Sequence, residues 1–171
     1  MRDEQRTHRL KRLTPANLEK ALARAAHYRD LNQPEEAENV CRDVLDVDGA
    51  NQTAWKLLGL SLTDRFASRE AGLLEQAIAA FERLDDMYER VYHLGVAWER
   101  VAKAHLERSE AHSAVAAFEH ALSLFERAEQ MQPDSPDPIL RWNRCVRLLS
   151  DHPLLRKAES ESREHVLRFG D

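Results

Sequence analysis

Glycine and proline are scarce in this sequence, five and six among 171 residues, too few punctuation points for a fold of many short strands and tight turns. Alternating runs of Val, Ile and Thr are missing as well, so half-buried strands have nothing to form from. No stretch reaches the ~18 apolar residues that a membrane span needs, and no membrane insertion is expected. The opening residues, MRDEQRTHRLKRL, carry charge throughout and have no apolar centre, so a secretory signal is not expected and a cytoplasmic location is. The five glycines are isolated from one another, which excludes a glycine-rich phosphate loop. Only two cysteines occur, Cys41 and Cys145. Both fall in apolar helical stripes, where Cys acts as a small hydrophobe, so buried free thiols are expected in place of a disulfide.

Charge of neither sign dominates. The chain has 25 basic and 30 acidic residues, a net charge of −5. A general nucleic-acid binder is normally basic on balance, so nucleic acid is not an expected partner. What is abundant is Ala, Leu, Glu and Arg, the residues that favour helix, and the expected fold class is all-α. The length suits a single domain, residues 14–171, preceded by a flexible basic arm, residues 1–13, with Arg2, Arg6, Arg9, Lys11 and Arg12.

Apolar residues recur at helical spacing along the rest. Thr14-Pro15 is read as a cap followed by Pro at the first helical position, opening a helix with Leu18, Ala21, Leu22, Ala25 and Tyr28 that runs to about Leu31. Pro34 restarts the chain with Ala37, Val40, Cys41, Val44 and Leu45, and Asn51 caps a third helix with Trp55, Leu58, Gly59 and Leu62. Gly59, lacking a Cβ, lets another helix approach closely. RFASRE is read as a short polar excursion before Leu74, Ala77, Ile78, Phe81 and Leu84. Two longer helices follow, one with Val91, Leu94, Gly95, Trp98, Val101, Ala102 and His105, the other, capped by Ser109, with Ala114, Phe118, Ala121 and Phe125. Asp137-Pro138 repeats the cap-plus-proline start, and Pro153 opens the final helix. Trp55, Trp98 and Trp142 recur in the first helix of successive pairs and are expected in the core. Eight helices in four antiparallel hairpins is the expectation. Each apolar stripe needs a neighbour to cover it, so the hairpins must stack.

The pattern of small, aromatic and Pro positions resembles the tetratricopeptide repeat (TPR) family of ~34-residue helix-turn-helix units. Trp55, Leu58, Gly59, Ala77 and Phe81 carry the likeness in one unit, and Leu94, Gly95, Ala121, Phe125, Ala128 and Pro133 in the next. In the first unit Ala25, Tyr28 and Ala37 fit, whereas Cys41, Val44 and Gly49 depart from the family's aromatic, Ala and Pro. The units would span about 15–49, 51–85, 88–133 and 136–168, the third extended. The resemblance implies an α-solenoid, a right-handed superhelix whose first helices line a concave groove. At matching positions the groove would present Leu22, Arg29, Lys56, Leu60, Tyr92, Val96, Glu99, Leu140 and Arg144. It lacks the asparagines of family members that clamp a terminal carboxylate.

Chemistry finds little purchase. Eight histidines are present, and His105 and His112 could meet across a turn, yet no His-x3-His or clustered Cys specifies a metal site. Neither thiol has a base beside it. Arg141, Arg144 and Arg147 fan over one side of a helix, as a solvated face or as an anchor for an acidic peptide. No catalytic residue, metal or cofactor is therefore expected. The function implied is a non-catalytic TPR adaptor or scaffold holding a peptide or helix of a partner protein. The alternatives are a chaperone or assembly factor for a secreted or membrane-complex client, and a self-assembling homo-oligomer paired through a face of the extended hairpin or through the final helix with Leu154, Leu155, Val166 and Phe169.

Overall fold

A computed structural model describes residues 9–68 and 70–169, with 163–169 by backbone alone. Residues 1–8 of the basic arm and the side chains of Val166 and Phe169 lie outside the described residues. Among the described residues the chain forms eight α-helices and no strand: α1 Leu18–Asp30, α2 Pro34–Val47, α3 Gln52–Asp64, α4 Leu73–Glu82, α5 Met87–Glu107, α6 Ala111–Met131, α7 Asp137–Asp151 and α8 Pro153–Phe169. Each helix packs on the next in the chain, and α5 and α6, at 21 residues each, form the longest pair.

Local chemistry sets the boundaries. Pro34 and Pro153 stand at the first positions of α2 and α8, where a missing N–H costs nothing. The Asn51 side chain accepts from Ala54 N–H at 3.0 Å and Asp86 accepts from Glu89 N–H at 2.8 Å, satisfying orphan donors of α3 and α5. Two helix ends use one geometry. After α1, Asn32 takes φ 57°, with Asn32 N–H donating to Arg29 O and Gln33 N–H to Tyr28 O. After α5, Ser109 takes φ 61°, with Ser109 N–H donating to Leu106 O and Glu110 N–H to His105 O. These paired bonds close the last turn and hand the chain to an antiparallel neighbour within three residues.

Ser109 thus ends α5 and does not cap α6, whose N-cap is Glu110. The reason is its left-handed backbone, since a cap requires extended φ/ψ. Thr14 makes no side-chain cap bond and is followed by a 3-10 turn, Pro15–Asn17, before α1 begins. Asp137 is itself the first residue of α7 and caps nothing. The RFASRE segment is not wholly polar in role. Its Phe66 sits in a short 3-10 turn and is buried against the core.

Two apolar clusters make that core. One gathers Ala25, Cys41, Leu58, Leu62, Phe66, Leu73, Phe81 and Ala97, and the other Val96, Ala102, Phe118, Phe125, Cys145 and Leu155. Leu60 and Val101 touch both. Helix α5 supplies residues to each cluster and is the spine that joins the two halves. The tryptophans are only partly buried against these clusters. Trp55 donates from Nε1 to Gly49 O at 2.9 Å, as expected of an aromatic with one wet end.

One register recurs in two hairpins. A Cβ built on Gly59 would lie 2.4 Å from the Phe81 ring, and one on Gly95 would lie 2.7 Å from the Phe125 ring. In each case the second helix of the pair drives an aromatic ring onto bare backbone of the first.

Candidate partner-binding surface

Beyond the chain-order contacts, the odd-numbered helices touch one another in succession, α1 on α3, α3 on α5 and α5 on α7. A layer of four helices results, with the first helix of every hairpin in it. Beside the apolar contacts of the core, charged side chains link its members. Arg29 Nε of α1 donates to Asp64 Oδ2 of α3 at 2.8 Å, and Arg100 of α5 pairs with the same carboxylate. Lys56 Nζ of α3 lies 3.4 Å from Glu89 Oε2 of α5. Glu99 of α5 is fully buried and receives Lys103 from one turn on, Arg141 Nη1 of α7 at 2.9 Å and, more loosely, Arg144 Nε at 3.7 Å.

These partners stand at regular distances in sequence. Arg29 and Asp64 are 35 apart, Asp64 and Arg100 36, Lys56 and Glu89 33, and Arg42 and Gln76, which join α2 to α4, 34. Across the long third hairpin the interval from Glu99 to Arg141 is 42.

Each residue expected in the groove has a definite place. Leu22 and Leu60 are half-buried, and Tyr92 is half-buried against the second cluster, its ring 6.0 Å from that of Phe125. Arg29 and Lys56 are engaged in the inter-helix pairs above. Val96 is buried in the second cluster and offers no surface, and Glu99 is enclosed by its cations. Leu140 is 63% exposed, and Arg144 is largely open to solvent. The structure therefore brings Glu99 and Arg144 together and turns three of the four charged candidates toward neighbouring helices. Asp64, Glu89, Arg100 and Lys103 complete the set and were not among the expected residues. The four-residue spacing of Glu99 and Lys103 was the available signal, since it places the two on one helix face.

Electrostatics at this layer follow from burial. Burial alone would push the Glu99 carboxyl up, but the Lys103 hydrogen bond and the charges of Lys103 and Arg141 outweigh it and hold the group below its ordinary value. On Arg141 burial works to lower the pKa, and the facing Glu99 charge with Tyr92 overcomes it. Burial pushes the Cys41 and Cys145 thiols up to about 12, so neither is a thiolate nucleophile near neutral pH.

Hollows open along this layer beside α5. One of about 550 Å³ lies between α5 and the α7–α8 turn, lined by Lys103, Arg144, Arg147 and His152 among others. Two smaller ones, about 230 and 220 Å³, lie between α3 and α5 at Asp64 and Arg100 and at Lys56 and Glu89. Among the described residues no three His, Cys, Asp or Glu side chains converge as a metal site. His105 pairs with Glu110 and His112 with Glu161, so the two histidines do not meet. No helix among the described residues is long and apolar enough to cross a membrane. No protein-family model matches the chain, and no curated protein is similar to it in sequence.

Proposed function

We propose that this chain is a non-catalytic adaptor of TPR type, an α-solenoid that holds a peptide or helix of a partner protein across its odd-helix layer. The carrying observation is that layer itself: α1, α3, α5 and α7 touch in series, and hollows lie between α3 and α5 and between α5 and the α7–α8 turn. The cross-hairpin bonds at 33 to 36 residues support a unit of about 34 residues. The ring-on-glycine register shared by α3–α4 and α5–α6 supports it further. A surface mixing half-buried leucines with paired charges suits an extended or helical segment more than a small metabolite. A cytoplasmic location and a protein partner, without nucleic acid, belong to the same reading.

The test is a pull-down from the native host with wild-type protein and with Leu140→Glu and Arg144→Gln, two exposed side chains, the second made neutral so that no new carboxylate faces Glu99. Loss of a partner from both variants, with unchanged melting curves, is the expected result. Retention of every partner by both variants would place binding elsewhere.

A second reading is self-assembly through the last two helices, favoured by the exposure of Ile139, Val146 and Leu154. Leu155, expected on that face, is fully buried and cannot contribute. Sedimentation at several concentrations separates the readings: a concentration-dependent dimer lost in Val146→Glu supports self-assembly, and a monomer throughout excludes it.

A further inference from the structure

The hollow between α5 and the α7–α8 turn has an unbalanced lining. Lys103, Arg144 and Arg147 contribute three cations against the single carboxylate of Asp151, over an apolar floor of Leu148 and Pro153. That excess arises in a chain of net charge −5. Glu99, behind the hollow, is taken up by Lys103 and Arg141, so the excess that faces the space is that of Arg144 and Arg147 over Asp151. Arg144 reaches Glu99 only at 3.7 Å and its side chain stays 58% exposed. Arg147 has no carboxylate partner among the described residues. His152 Nδ1 is buried and has no hydrogen-bond partner among them either. Pro153 is the first residue of α8, so the positive end of a 17-residue helix borders the same space.

Two guanidinium groups beside apolar floor match a carboxylate on an aliphatic stem better than a bare inorganic anion, which would leave most of about 550 Å³ and the apolar floor unused. Leu140, Arg144 and Arg147 follow one another at i, i+4 and i+7 on one face of α7, so an exposed leucine stands about 10 Å along the axis from the second arginine. We propose that this hollow receives the acidic side chains of a partner peptide whose apolar residue rests on Leu140. The proposal rests on the reading of the odd-helix layer as a peptide-binding surface, and gives that surface a charge preference.

The probe is a fluorescein-labelled synthetic helical peptide with leucines on one face and glutamates two turns away, compared with the same peptide carrying Gln for every Glu. Anisotropy with the full chain at about 50 mM salt should show the Glu peptide binding at least about tenfold tighter. Arg144→Gln with Arg147→Gln should abolish the difference at unchanged melting temperature, Leu140→Ser should weaken both peptides, and the His152 ring signals should shift on binding. Equal affinity for the two peptides would overturn the anion pocket while leaving the docking surface standing. Binding of neither would overturn both. A glutamate preference that survives the double substitution would assign it to other cations, and displacement of the peptide by inorganic phosphate at matched ionic strength would mark a small-anion site instead.

Discussion

Glu99 shows how a single side chain can be essential to a surface without being on it. Its carboxylate is fully buried between α5 and α7, and its cations are partly solvated, so the pair stabilises mainly by avoiding an uncompensated buried charge. Replacing it with Gln leaves Lys103, Arg141 and Arg144 facing one another. The expected loss is about 3 kcal/mol in urea unfolding, and a change near zero would show that the cluster is energetically neutral. Because the folded carboxyl sits below its ordinary value, its contribution is fully present above the unfolded pKa of about 4.3 and disappears as pH falls through the folded value. His93 acts at milder pH. Burial is the largest influence and lowers its pKa, helped by Lys56 and Arg141, while the Glu89 carbonyl and carboxylate oppose this. With the folded pKa below 6.5, the unfolded chain takes up the proton first, so stability is complete above 6.5 and declines as pH falls from there. A proton-NMR titration of His93 should give a midpoint under 6.5, and His93→Gln should flatten the decline in urea midpoint between about pH 7 and 5. A midpoint at or above 6.5 would refute this. Beyond the four-residue spacing of Glu99 and Lys103, none of it was legible in the sequence. Glu99 meets Arg141 42 residues away, and only the packing of α7 on α5 reveals that the carboxylate is enclosed instead of lining a groove.

At the scale of the element, the glycines of α3 and α5 decide how closely α4 and α6 approach. Gly→Ala in a helix interior gains about 1 kcal/mol of propensity, whereas overpacking a closed core costs about 1–3 kcal/mol. The added methyl would stand 2.4 Å from the Phe81 ring at Gly59 and 2.7 Å from the Phe125 ring at Gly95. Both rings are fully buried and have nowhere to retreat, so the clash should win. Gly59→Ala and Gly95→Ala are each expected to lower thermal stability, and Phe125→Leu to restore part of the loss in Gly95→Ala. A raised melting temperature in either single variant would show that the rings can yield. The first hairpin carries Ala25 and Cys41 in the corresponding places, both buried in the same cluster. A smaller partner there accompanies the methyl that glycine lacks. This register was legible, because spacing and residue size encode it. The Pro34 and Pro153 starts and the Asn51 cap were legible for the same reason. The Ser109 boundary was not, since serine is a common cap and its left-handed backbone here is imposed by the turn that α6 requires.

For the molecule as a whole, eight helices packed each on the next in chain order imply graded stability, the end helices being covered from fewer sides than α5 and α6. Helix α5 feeds both apolar clusters and α6 covers it over 21 residues, so native-state hydrogen exchange should find the slowest amides in α5 and α6 and progressively faster ones toward α1 and α8. Uniform protection from α1 to α8 would instead indicate one all-or-none unit. The net charge of −5 keeps the surface acidic overall, and the local cation excess beside α7 stands out against it. The sequence by itself determined the helical class, the pairing into hairpins and the points where small residues admit large ones. Those features depend on 3.6-residue periodicity and on chemistry within a few positions of each boundary. Tertiary structure alone decided which charges meet and which are left over, because partners 33 to 42 residues apart are brought together only when successive helices settle side by side.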